Sequence, residues 1–230
     1  MTLPRTSPPR TDLRAFIFDM DGTLIDTDNQ HFDAYVEVFA DLGRPLDRDE
    51  YDAQMAGRPN MEILRDYFPD ESDAYRRDLM NRKENAFRTT AATWEPLTGL
   101  AELMNWAKEQ GLAQALVTSA PRENAAYLLD AVNLTGTFVP EVYADELPRG
   151  KPDPLPYKTA LELLGVTPEQ AIVFEDSASG VKSGASAGIL TVGLATTQRP
   201  EVLKAAGAAL VIHDFTDPAL WELLEPVAAN

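Results

Sequence analysis

The apolar positions along this chain change their period, and the changes divide it. Residues 14–24 begin with a short apolar run, Ala15-Phe16-Ile17-Phe18, which predicts a strand over 14–19 and stops abruptly on Asp19, Asp21 and Gly22. The run is too short for a helix and too apolar for a strand facing water, so it predicts a buried strand of a parallel sheet. From Asp26 the spacing becomes helical. Phe32, Tyr35, Val36, Phe39 and Leu42 recur at three and four, and Gly43 closes the segment. Asn60 reads as the cap of a run carrying Ile63, Leu64, Tyr67 and Phe68, and a long charged helix follows over 71–88. No strand pattern precedes Gly111. Beyond it strands and helices alternate, with strands over 113–118, 138–144, 171–174, 190–194 and 209–212. The intervening helices span 121–132, 155–164 and 179–188, and a last one spans 217–227. Pro140 marks the strand at 138–144 as short or as an edge.

Such alternation predicts an α/β fold, a parallel sheet flanked by helices. The first strand and the one at 113 lie much further apart than a single crossover needs. The excess is all helical in pattern, which predicts an inserted helical cap at 27–94 and a core formed by 12–26 plus 95–230. The hinges fall at 25–28 and 94–98, both beside the first strand's acids. Residues 1–11, with Pro4, Pro8 and Pro9, read as a disordered leader.

Charge narrows the partners. There are 20 basic and 37 acidic side chains, a formal charge of −17, so a nucleic acid would meet a repulsive field. An anionic substrate would meet it too, unless a metal ion, a local Lys or backbone donors compensated. There is no cysteine, hence no disulfide and no thiol chemistry. No apolar stretch approaches membrane-spanning length and no signal-like segment opens the chain. A cytoplasmic monomer or weak homodimer acting on a small metabolite, with no membrane partner, is the expectation.

Four polar patches fall at ends of predicted strands or in the loops between them: Asp19 and Asp21, Thr118-Ser119, Lys151 in a Pro-rich loop, and Glu175-Asp176-Ser177. Alone, each has a bland reading as a turn, a helix cap or a solvated side chain. Together they fall along the edge where open α/β sheets bind ligands. Two carboxylates held close repel unless a cation or proton compensates. Phosphoryl transfer uses this whole set. Asp19 would attack phosphorus and form an aspartyl-phosphate. Mg²⁺ would sit among carboxylates of Asp19 and Asp176, a backbone carbonyl and waters. Asp21 would protonate the leaving oxygen and later take a proton from water. The Thr118 hydroxyl and the Ser119 N–H would hold phosphoryl oxygens, and Lys151 would supply positive charge.

Asp19-Met20-Asp21-Gly22-Thr23-Leu24, Val117-Thr118-Ser119, Gly150-Lys151-Pro152 and Phe174-Glu175-Asp176-Ser177 resemble, in order and spacing, the four motifs of the haloacid dehalogenase superfamily. The helical insertion resembles the cap of its first subclass. The resemblance implies a Rossmann-like core and Mg²⁺-dependent chemistry, with Asp19 as nucleophile and Asp21 as acid and base. It implies metal ligation by Asp19, the Asp21 carbonyl and Asp176, with Glu175 nearby and Gly22 beside the substrate. Asp21 points to phosphate esters, because the dehalogenases proper keep no acid there.

Phe68-Pro69-Asp70-Glu71, with the second and third motifs, resembles the sugar-phosphate and phosphoglycolate phosphatases. A β-phosphoglucomutase is the nearest competitor, and His31 fits both groups. The mutase pattern places an Arg where Asn60 stands, which argues against a site for a second phosphate, unless Arg58 substitutes. A receiver-like signalling module and a silent phospho-binding protein are the further alternatives. Motif order and the inserted cap speak against the receiver, and the complete set of acids against the silent protein.

Overall fold

The computed structural model describes residues 12–89 and 93–224. The expected leader at 1–11, and the end of the last expected helix, lie outside them. The sheet has six strands, all parallel, in the order β3-β2-β1-β4-β5-β6. These are β1 Ala15–Phe18, β2 Ala113–Thr118, β3 Glu141–Tyr143, β4 Ala171–Glu175, β5 Leu190–Leu194 and β6 Leu210–Ile212. β1 pairs with β2 on one side and β4 on the other, so the strand order reverses there. The carboxyl ends of β1 and β4 therefore open onto the crevice at which a doubly wound sheet binds its ligands.

The two faces of β1 explain its apolar run. Phe16 and Phe18 point to one side, where they pack with Phe174, Phe138 and Phe215. Ala15 and Ile17 point to the other, with Ala115, Val117, Val173 and Tyr157. Alternate side chains of a strand face opposite ways, and here both faces are covered, so no polar residue is tolerated. β3 lies at the sheet edge directly after Pro140, whose carbonyl accepts from the Leu116 N–H at 3.0 Å. The missing N–H of proline costs least at an edge.

Between β1 and β2 the described residues form five helices: α1 Asp28–Asp41, α2 Arg48–Gln54, α3 Asn60–Tyr67, α4 Asp73–Thr89 and α5 Leu100–Glu109. α1 to α4 close a separate apolar cluster around Tyr35, Phe39, Leu64 and Leu79. α5 instead returns the chain to the sheet, stacking Trp106 on Phe16 at 6.0 Å. The pattern reading did not single out α2 or α5. α2 is only seven residues and buries only Tyr51, too little for a visible stripe. α5 does carry a stripe, Leu100, Leu103, Met104 and Ala107. Asn60 does not cap α3, because Pro59 holds that position. Its side chain is used elsewhere, as described below. The remaining helices are α6 Arg122–Ala131, α7 Leu155–Leu164, α8 Ala178–Ser186, α9 Pro200–Ala206 and α10 Pro218–Leu224.

Candidate active site

Asp19 is the first residue beyond β1, and its N–H continues the ladder to the Phe174 carbonyl at 3.0 Å. Its carboxylate accepts from Lys151 Nζ at 2.6 Å. The same ammonium donates to the Val117 carbonyl at 2.9 Å and to Glu175 at 2.6 Å. One buried cation thus ties together the carboxyl ends of three adjacent strands, β2, β1 and β4. Glu175 is fully buried and also accepts from Tyr157 Oη at 2.8 Å and from the Ser177 N–H and hydroxyl. Its oxygens are therefore largely committed to holding Lys151 in place.

Asp176 follows at the start of the next loop, with Ser177 capping α8 through the Gly180 N–H. Gly22 faces it. Its backbone is left-handed at φ +70°, and a Cβ there would stand 2.2 Å from the Asp176 carboxylate. Only glycine lets the turn after β1 approach the second acid pair this closely.

The carboxylates of Asp19, Glu175 and Asp176 lie within 4.8 Å of one another, all buried. Burial, Glu175 and Asp21 push Asp19 up to about 8, even though Lys151 opposes them. Burial, then Asp19 and Glu175, raise Asp176 well above the usual carboxylate range. Three acids sharing one Lys are short of positive charge. The donor set is all oxygen, which fits a hard divalent cation such as Mg²⁺.

Asp21 turns away from this cluster. It accepts from Thr27 Oγ1 at 2.8 Å and lies 3.2 Å from His31 Nε2. Burial alone would raise it, but the hydrogen bonds from His31 and Thr27 and the nearby charges of His31 and Lys83 hold it below the usual carboxylate range. His31 stacks on Phe87 at 4.3 Å, and its Nδ1 lies 2.7 Å from Lys83 Nζ. Lys83 in turn reaches Glu84 at 3.0 Å.

Thr118 ends β2, buried, with its hydroxyl accepting from the Ala120 N–H at 3.0 Å. The expected helix start at 121 moves by one residue, because Pro121 is the N-cap of α6. Asp19, Asp21, His31, Lys83, Thr118, Lys151 and Asp176 open on a cavity of about 650 Å³ between the sheet edge and helices α1, α3 and α4, which Gly22, Ser119 and Arg58 also line, whereas Glu175 lies behind it. Arg58, proposed from sequence, turns its charge aside. Its guanidinium donates to Asp66 and to the Gln54 carbonyl, each at 2.7 Å.

Several residues of the site escaped the sequence reading: Thr27, Tyr35, Asn60 as a side chain in the wall, Lys83, Glu84, Asn124 and Tyr157. A signal existed for Lys83. It falls on the apolar stripe of α4, four residues after Leu79 and four before Phe87, where a solvated charge does not belong.

Comparison with known proteins agrees with this geometry. The model of the haloacid dehalogenase-like hydrolases matches residues 13–188. The validoxylamine A 7′-phosphate phosphatase of Streptomyces hygroscopicus subsp. limoneus is 33% identical over 91% of this chain and 97% of its own. A phosphorylated carbohydrates phosphatase of Thermotoga maritima is 35% identical over 77% of this chain and 82% of its own. A β-phosphoglucomutase of Bacillus subtilis is 29% identical over 92% of this chain and 94% of its own. Among solved structures, a family IA hydrolase of this superfamily from Entamoeba histolytica superposes with a TM-score of 0.83. It is 28% identical, covering 94% of this chain and all of that one. The chain belongs to the haloacid dehalogenase-like hydrolases. Its enzyme class is that of the phosphoric monoester hydrolases.

Proposed function

We propose that the protein is a Mg²⁺-dependent phosphatase that hydrolyses small phosphorylated metabolites, sugar phosphates among them, through an aspartyl-phosphate on Asp19. The observation that carries this reading is the pairing of two carboxylates with opposite surroundings. Asp19 shares a buried, cation-seeking cluster with Asp176, while Asp21 stands apart with Thr27 and His31. Two acids in different environments can take two roles.

Asp19 and Asp176, with the Asp21 carbonyl, would hold the metal, which supplies charge neutralisation for the incoming phosphate when bound. The Asp19 carboxylate attacks phosphorus and the ester oxygen–phosphorus bond breaks. Lys151 orients the nucleophile and, with the metal, favours its ionised form, while Thr118 Oγ1 and the N–H groups of the following loop would accommodate phosphoryl oxygens. The leaving oxygen takes its proton from Asp21. A phosphate dianion placed beside Asp21 favours the protonated carboxyl that this step needs. Asp21, now ionised, takes a proton from a water that attacks phosphorus, and Asp19 and inorganic phosphate are released. Helices α1, α3 and α4 cover the cavity and limit access of other water.

Phosphatase rather than mutase is favoured by the far wall. Arg58, the candidate for a second phosphate, is engaged with Asp66 and Gln54. The test is phosphate release from a panel of sugar and polyol phosphates and β-glucose 1-phosphate, with Mg²⁺ and then with EDTA. Metal-dependent release that disappears in Asp19→Asn is the expected result. Conversion of β-glucose 1-phosphate to the 6-phosphate with little free phosphate would overturn it.

A further inference from the structure

The cavity wall opposite the acids is built around one carboxylate, Glu84 of α4. It is almost wholly buried, yet it faces the cavity. Asn60 Nδ2 donates to its Oε1 at 2.6 Å, and Tyr35 Oη donates to Asn60 Oδ1 at 2.7 Å, which fixes the direction of that amide. Lys83 Nζ donates to the same Oε1 at 3.0 Å, and Asn124 of α6 donates to Oε2. Three protein donors thus occupy a group that can accept about four, which leaves room for a hydroxyl from a bound molecule. Burial alone would raise Glu84, but Lys83, His31 and the hydrogen bonds from Lys83 and Asn60 hold it below the usual carboxylate range.

Two of the three cations of the wall are already committed. Lys83 is shared between His31 and Glu84, and Arg58 is bound to Asp66 and the Gln54 carbonyl. Arg65 is more than half exposed and stands 3.9 Å from Asp73. Around the whole cavity six carboxylates face four Lys and Arg. The phosphoryl end has Lys151 and the metal-fitting acids. The far end has no buried cation free of a protein partner among the described residues, only the exposed Arg65, and it has a buried anion.

We propose that Glu84 is a specificity-determining residue. It admits leaving groups rich in hydroxyls and without charge at their far end, and it rejects those that bring a second phosphate or a carboxylate to the wall. The substrate class is then the monophosphates of neutral sugars and polyols, rather than bisphosphates, phosphorylated sugar acids or phosphoglycolate. A hydroxyl can donate to Glu84, whereas a second anion can only repel it, in surroundings where water screens poorly. This inference rests on the phosphatase reading above and narrows it.

The experiment compares three substrates alike at the phosphoryl end: sorbitol 6-phosphate, glucose 6-phosphate and 6-phosphogluconate. p-Nitrophenyl phosphate serves as a reference with neither a hydroxyl nor a net charge at its far end. kcat/KM is measured with Mg²⁺ for the wild type, Glu84→Gln and Asn60→Arg. The wild type is expected to prefer the two neutral substrates over 6-phosphogluconate by about tenfold or more, the scale of a like-charge contact across a few ångströms. Both variants should shrink that preference. A merely structural role for Glu84 would lower all rates and leave the ratio unchanged. If Glu84→Gln fails to fold, by circular dichroism, the ratio in Asn60→Arg decides. Turnover of p-nitrophenyl phosphate with equal use of 6-phosphogluconate would overturn the inference while leaving the phosphatase standing. An unchanged ratio in folded variants would also overturn it. No metal-dependent turnover of any of the four would overturn the phosphatase reading itself, and the inference with it.

Discussion

Replacing Lys151 with Met removes the one cation that joins β1, β2 and β4 while keeping most of its volume. In the wild type this ammonium makes three hydrogen bonds of 2.6, 2.9 and 2.6 Å, to Asp19, the Val117 carbonyl and Glu175, and it is almost inaccessible to water. Its loss strands two buried carboxylates. Breaking a buried pair by removing one partner costs about 3–5 kcal/mol. Protonation of Asp19 relieves part of this, so the lower end of the range is expected near neutral pH. For a chain of this size each kcal/mol moves Tm by about 2–4 °C, which gives a fall of roughly 6–12 °C. The same protonation removes the nucleophile, and Lys151 no longer orients it. Turnover should fall by about 10²–10³-fold or more, the scale seen when one charge-stabilising donor is deleted from an active site. Thermal unfolding and phosphate release on the same preparation measure both effects. Lys151→Met with wild-type turnover and wild-type Tm would refute the reasoning.

Three further outcomes follow from the same site. Gly22→Ala places a Cβ 2.2 Å from the Asp176 carboxylate at a backbone φ of +70°. The left-handed backbone alone costs about 1–2 kcal/mol, so a lower Tm should accompany weaker Mg²⁺ activation. An unchanged Mg²⁺ requirement would contradict this. Tyr157→Phe deletes a 2.8 Å bond to the buried Glu175. It should cost about 1.5–3 kcal/mol by denaturant unfolding, with a much smaller loss of activity than Lys151→Met. Stability without metal should also depend on pH. Asp19 is raised from 3.8 to about 8 in the fold, so between these values the folded state holds a proton that the unfolded chain releases. Unfolding therefore sheds a proton, and stability in EDTA should fall as pH rises from about 4 to about 8. Mg²⁺ should oppose that fall. A denaturation midpoint in EDTA that rises over this window would contradict the account.

The parallel sheet and its ligand edge were legible in the sequence because both depend on local pattern. The double burial of β1 shows as an unbroken apolar run, and Asp19, Thr118 and Glu175 show as the points where such runs stop. The third patch, Lys151, was legible through its motif, although nothing local predicts that a loop lysine is buried against two acids. The far wall was not legible. Tyr35, Asn60, Glu84 and Asn124 come from four separate helices, and each reads alone as an ordinary aromatic, cap or surface residue. Only packing gives them one partner. Tyr157 was missed for a related reason: its ring satisfies the apolar stripe of α7, and the hydroxyl that reaches Glu175 leaves no trace in periodicity. Arg58 is the opposite case. Its charge suggested a phosphate contact, but Asp66, eight residues on, takes it first.

The central claim is that Asp19 becomes covalently phosphorylated during turnover. An acyl phosphate is reduced by borohydride to the corresponding alcohol, so an aspartyl-phosphate is trapped as homoserine. The measurement is mass spectrometry of the peptide containing residues 15–24 after rapid mixing with Mg²⁺ and substrate, followed by borohydride. Substrate-dependent homoserine at position 19, absent without substrate and absent in Asp19→Asn, is the predicted result. Steady phosphate release with no conversion at position 19, or with conversion at Asp21 instead, would contradict the account.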